Sequence, residues 1–286
     1  MTRSSHSSHS ILRQAIRGIL KEEAGPGKSL SLVSKLQAIN AELKAAGIPA
    51  KVGIFFESGQ AREYAFALKN EPMLSGLYAR PINLASFGGW GPADVVAAVK
   101  RTFHRKIEDE GIADAAFDAA MSTPEAQAAM AQIPWGSISF SGAKQGQDGG
   151  DCSGAQIVRL TTDTARGWGP LLYDLAMEYA STGRGGLAPD RESVSTAARG
   201  VWSKYDTARG DVQKVQLDVP YKFAQREPEM WGDNLTATYN DDCGMDAAQA
   251  GMPEPGGWRD SPLSRSYRKP DGSTTAALKA AGLLWR

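Results

Sequence analysis

Between residues 155 and 181 the chain runs from a strand signal into a glycine bend and then a helix with no spacer, and this unit constrains the fold more than any other stretch. AQIVRLTT is a short apolar, β-branched run of strand length; ARGWGP follows it, and LLYDLAMEYAS repeats apolar residues at helical spacing. Pro170 falls at the first helical turn, where a missing N–H costs little. A helix start carries N–H groups without intrahelical partners and the positive end of the helix dipole, and glycines let an anion approach that backbone closely. Two readings stay open on these residues alone: a tight structural turn, or a phosphate-binding turn.

The flanking chain indicates what this unit packs with. Residues 1–10 are Ser/His-rich without apolar period and read as a disordered arm; ILRQAIRGILKEE then reads as a short basic amphipathic leader helix, closed by the breaker cluster AGPGKS. Leu32, Leu36, Ile39 and Leu43 predict a second helix, ended by Gly47 in the left-handed conformation. KVGIFFE and AREYAFAL, on either side of Ser58-Gly59, predict a hairpin. Helices are expected over 92–110 and over 113–132, strands from Ile133 onward, and beyond Pro220 a Gly/Pro/Asp-rich tail that wraps the domain. The domain reading is therefore a disordered arm and leader helix at 1–28, an α/β domain at 29–220, and a C-terminal extension at 221–286. The expected fold class is α/β (α+β), with a mixed, mostly antiparallel sheet flanked by helices.

Charge and cysteine usage narrow the function classes. Thirty-two basic residues balance thirty-two acidic ones, so no global field draws the chain to nucleic acid or to an anionic membrane. No apolar run is long enough for stable membrane insertion, and the opening lacks the apolar core of a secretion signal, which makes a soluble, intracellular protein the expectation. Cys152 and Cys243 cannot build a four-thiolate zinc site, and a reduced pair is the default in cytosol.

The strand, the bend Thr164-Ala165-Arg166-Gly167-Trp168-Gly169 and the helix resemble the coenzyme A pyrophosphate loop of the GCN5-related N-acetyltransferases, whose motif is Gln/Arg-x-x-Gly-x-Gly/Ala. Gly167 and Gly169 match its glycines, whereas Thr164 stands where the family carries Gln or Arg. Ser195, Ala198 and Trp202 fall at the spacing of the family's Asn-x-x-Ala-x-x-x-Tyr helix, with tryptophan in the place of the proton-donating tyrosine and Tyr205 as the nearest phenol. The phrases GWGPLLYDLAMEYA, GGLAPDRESVS, GVWSKY and the Asp-Asp-Cys at 241–243 resemble an acetyltransferase-like domain encoded by tailed bacteriophages, over residues 135–243. The leader LRQAIRGILKEE resembles the opening of many phage-encoded proteins.

The resemblance implies an acetyl-CoA-dependent N-acyltransferase acting on a small-molecule or protein amine, with cofactor contacts from Arg166, Gly167, Trp168, Gly169 and Leu171. Asp163, Asp190 and Tyr205 are the candidate catalytic groups; an Asp at either place is also an ordinary turn or cap residue. Arg191 reads as a phosphate contact or as a local bridge. Cys152 reads as a nucleophile only if His104 reaches it, and otherwise as a buried thiol or a contact of Cys243. No metal is implied. The alternative function is a non-catalytic virion or packaged accessory protein that keeps the fold and meets capsid proteins through the leader helix; either way the expected location is the host cytoplasm or the virion. The enzyme reading requires amides around Trp168 to be unpaired and to open on a cleft between diverging strands.

Overall fold

The computed structural model describes residues 28–70, 82–83, 92–144, 152–161, 164–183, 185–217, 243 and 260–286. The leader helix, Asp163 and most of the Gly/Pro-rich tail lie outside the described residues.

Helix α1 (Lys28–Ala45) buries Leu32, Val33, Leu36, Ile39 and Leu43 on one stripe, and Gly47 closes it at φ +73°. It is followed by the hairpin β1 (Ala50–Ser58) and β2 (Arg62–Asn70), in register from Ala50↔Asn70 to Ser58↔Arg62 around a three-residue loop. Asn40 on α1 serves this hairpin as a substitute strand: its Nδ2 donates to the Val52 carbonyl (2.9 Å) and its Oδ1 accepts from the Val52 N–H (2.6 Å). The helix is thereby held at the strand edge by the same groups a neighbouring strand would use.

Strand β3 (Ile82–Asn83) is followed by α2 (Pro92–Lys106), α3 (Glu110–Met121) and α4 (Pro124–Ala131). The single helix expected over 113–132 is two helices, because Thr123 caps the Ala126 N–H and Pro124 then opens a new first turn. Similarly, α2 stops at Lys106 rather than 110: Asp109 is the N-cap of α3, its side chain accepting from the Ile112 N–H at 2.9 Å. Next come β4 (Ser137–Gly142), β5 (Gln156–Thr161), α5 (Gly169–Thr182), β6 (Leu187–Ala188), α6 (Thr196–Ala208), β7 (Gln213–Gln216), β8 (Arg265–Arg268), α7 (Ser273–Ala280) and β9 (Leu284–Trp285).

Among the described residues nine strands form one mixed, mostly antiparallel sheet in the order β7-β8-β6-β5-β4-β2-β1-β9, with β3 beside β4 on the same edge of β2. Of the described pairs only β1–β9 and β5–β6 are parallel. Helices flank the sheet, and α5 lies across β2, β4, β6 and β8 with α1 and α7 against it. Its packed side is nearly continuous, from Leu171 through Glu178. Residues 260–286 do not wrap the domain. They insert β8 between β7 and β6, lay β9 along β1 and bury Leu278, so the sheet crosses the boundary expected at 220. Four-residue and two-residue strands are too short to show a period in sequence, which is why this part read as a tail.

The parallel pair β5–β6 is approached so closely that one position tolerates no side chain. A Cβ on Gly185 would lie 2.0 Å from the Gly154 carbonyl oxygen, which is backbone and cannot swing away. Gly185→Ala is expected to lower stability by about 1–3 kcal/mol, as overpacking does elsewhere, read as a fall in thermal midpoint, whereas Gly210→Ala, with open space around its Cβ, leaves the midpoint nearly unchanged.

Candidate functional site

Strands β5 and β6 pair at only two places among the described residues, Gln156↔Leu187 and Ile157↔Ala188, after which β5 continues to Thr161 paired with β4. Strand β5 is also irregular. Across the β4–β5 ladder Ser139 faces Leu160 but Phe140 faces Val158, so β5 carries one extra residue, Arg159, opposite β4. Such a bulge bends its strand and raises the local twist. The Arg159 side chain fastens the bend to β4, donating from Nε to the Ser141 hydroxyl (2.8 Å) and from Nη2 to the Gly142 carbonyl (3.0 Å).

A cleft of about 410 Å³ lies beside the end of β5 and the bend that leads into α5. One wall is the end of β5 and the bend, with Thr161, Gly167 and Gly169; the other is the first half of α6, with Ser195, Ala198 and Val201. Lys28 and Lys204 stand at its rim. Two helix N-termini therefore flank one space, that of α5 at Gly169 and that of α6, where Ser195 caps the Ala198 N–H at 3.3 Å. Gly167 takes φ +86°, a conformation that favours glycine.

The amides of the bend divide into two groups. Ala165 N–H donates to the Trp135 carbonyl (3.1 Å), and Trp168 N–H donates to the Ala165 carbonyl (3.0 Å). Trp168 itself is thus paired, against expectation, because the turn needs that bond to close. Among the described residues, the N–H groups of Gly167 and Gly169 have no hydrogen-bond partner, and both glycines line the cleft.

The other anticipated residues separate in the same way. The Trp168 ring is buried, edge-on to Phe66 at 5.6 Å with the Lys35 ammonium 5.3 Å from its centroid; it anchors the bend to the core rather than facing a ligand. Leu171 is fully buried in the core, and Arg166 is exposed. Asp190 accepts from the Glu192 and Ser193 N–H groups, both at 2.9 Å, and is a turn residue. Arg191 is buried, with Nη1 donating to the Leu263 carbonyl at 2.6 Å. Cys152 is bonded to Cys243, so neither the reduced pair nor a cysteine nucleophile stands, and His104 is engaged with Asp114 on α3 at 2.9 Å.

Tyr205 lies at the cleft wall, but its hydroxyl donates to Asp174 Oδ1 at 2.7 Å. Asp174 is 1% exposed and gathers three elements: Ser29 Oγ of α1 donates to it at 2.6 Å, Tyr205 from α6, and Arg209 through Nη1 and Nη2 at 3.2 and 2.9 Å. Arg209, itself fully buried, also grips Asp211 at 2.7 and 2.6 Å. Burial, then the Asp174 charge, raises the Tyr205 phenol well above its ordinary value. A cleft residue that was not among the anticipated catalytic or cofactor-binding residues is Tyr173. It lines the cleft from α5, burial pushes its phenol up to about 12, and a hydrogen bond with Thr161 moderates that rise. Its place four residues after Gly169, one turn into a helix that begins at the cleft, was the available signal.

A second buried ion pair fixes the other end of α5. Glu178 accepts from the Thr274 and Thr275 N–H groups at 2.9 and 2.7 Å and from Lys269 Nζ at 2.5 Å, capping α7. Among the described residues no group of three or more His, Cys, Asp or Glu could hold a metal ion, and no helix is long and apolar enough to cross a membrane. No known family, curated protein or solved structure matches the chain.

Asp174→Ala strands the buried Arg209 with only Asp211, and a loss of about 3–5 kcal/mol is expected, typical of breaking a buried pair, measured by urea unfolding. The Asp211 carboxyl is held below the usual carboxylate range by its hydrogen bonds from Arg209, with burial opposing. Its contribution is therefore complete above the unfolded Asp value, about 3.9, and disappears as pH falls through the lower folded value. The stability gap between wild type and Asp211→Asn should accordingly shrink on acidification below about pH 4; a gap independent of pH would contradict this.

Proposed function

We propose that the cleft binds a coenzyme A thioester and that the chain transfers its acyl group to an amine. The observation that supports this most is the pair of unpartnered amides at Gly167 and Gly169, at the head of α5, on a cleft beside the end of the bulged strand β5. Adjacent N–H groups at a helix start suit a pyrophosphate, and Lys204 at the rim adds a cation. The architecture of β5, bend, α5 and β6 agrees with the resemblance to the GCN5-related N-acetyltransferases and their phage-encoded relatives, and that kinship is part of the proposal.

The thioester supplies an activated carbonyl carbon: the C–N bond to the amine forms as the C–S bond breaks. This chain's part is to orient the donor and to manage two protons. Tyr173, protonated at neutral pH and at the cleft wall, gives its proton to the departing thiolate and regains one from solvent. Tyr205 is not suited to that step, since its proton is committed to Asp174. The proton released by the amine goes to solvent.

One observation favours a second reading, a protein that keeps the cleft without catalysis, such as a packaged virion component. Asp190 and Tyr205, two of the three anticipated acid–base groups, are both held in structural hydrogen bonds.

Titration calorimetry with acetyl-CoA separates the two. A Cβ at Gly169 meets nothing within 4 Å, so Gly169→Glu keeps the fold while placing a carboxylate among the amides. Micromolar binding by wild type, lost in Gly169→Glu, is the expected result, with Tyr173→Phe retaining affinity but losing turnover by about 100-fold or more. Silence at millimolar acetyl-CoA would leave the second reading.

A further inference from the structure

Where β5 and β6 touch, a one-turn segment at Cys152–Gly154 precedes β5, and all three of its residues have positive φ: Cys152 at 51°, Ser153 at 55° and Gly154 at 72°. For Cys and Ser this left-handed conformation is costly. The turn is closed by Ala155 N–H donating to the Cys152 carbonyl (2.9 Å), and the first rung between the strands follows at once, Gln156 N–H to the Gly186 carbonyl (2.8 Å). The Gly154 backbone sits directly against Gly185.

The bond from Cys152 to Cys243 is at this point. Both cysteines are fully buried, in a small cluster with Ala155, Ile157, Ala188 and Leu217 that is separate from the main core. This cluster includes one residue of each diverging strand, Ile157 of β5 and Ala188 of β6, and the residue that leaves β7. Thr161, at the cleft, is four residues along β5 from Ile157, about 13 Å at strand rise.

We propose that the Cys152–Cys243 disulfide is a redox-sensitive clamp on the vertex from which β5 and β6 diverge: it holds the left-handed turn against the strand pair, and its reduction loosens the vertex while leaving the β1–β2 hairpin intact. Reduction takes two electrons and two protons from a thiol reductant such as dithiothreitol, giving two protein thiols and the oxidised reductant. Burial of both sulfurs makes the bond slow to exchange in the folded chain, so the clamp yields only to prolonged reduction, and the vertex loosens once the bond has been cut. This inference does not depend on what the cleft binds.

Hydrogen exchange on the full chain, read by mass spectrometry, tests it. In Cys243→Ser, peptides carrying the Ala155 and Gln156 amides are expected to exchange at least tenfold faster than in the oxidised wild type, with peptides across 50–70 unchanged. Equal protection in both proteins, or an equal loss in both regions, would overturn the proposal. Backbone relief gives a second test: Cys152→Gly with Cys243→Ser should exchange at Ala155 and Gln156 roughly fivefold more slowly than Cys152→Ser with Cys243→Ser, because glycine accepts the positive φ. No difference between these two, or two free thiols in the denatured, aerobically purified wild type, would also overturn it.

Discussion

One carboxylate ties together the elements around the cleft. Asp174 receives hydrogen bonds from α1 through Ser29, from α6 through Tyr205 and from the chain leaving α6 through Arg209. A buried charge of this kind is tolerable only when paired and fully hydrogen-bonded, which makes its neighbours' positions interdependent. Because Asp174 lies in the second turn of α5, the helix that begins at the cleft is fixed in rotation and height by the same contacts. Glu178, one turn further, repeats the device toward α7 with Lys269.

Two departures from regularity sit beside the cleft. Strand β5 carries an extra residue opposite β4, and the bend after it leaves two glycine amides unpaired. Either feature alone would be unremarkable, since bulges and glycine turns are common. Together, beside two helix N-termini, they give a recess lined by backbone amides with Lys28 and Lys204 at its rim.

Much of the local structure was legible in the sequence. The stripe Leu32, Leu36, Ile39, Leu43 located α1, and the aromatic, β-branched runs around Ser58-Gly59 located the hairpin, because burial there acts on residues close in the chain. The bend at Gly167 and Gly169 was legible for the same reason. Failures occurred where distant residues decide the outcome. Tyr205 and Asp190 have the right chemistry for proton transfer but spend their hydrogen bonds elsewhere. Tyr173, not singled out from the sequence, lies at the cleft.

The sequence by itself determined the elements: periodicity, caps such as Ser195 and Asp109, and the glycine bend are properties of a few neighbouring residues and their backbone preferences. Only the tertiary structure decided the strand order, the bulge at Arg159, the insertion of β8 beside β6, and the pairing of Asp174 with Arg209 and of Cys152 with Cys243. The last two pairings join residues 35 and 91 positions apart, and all of these features depend on which surfaces meet after the elements have formed.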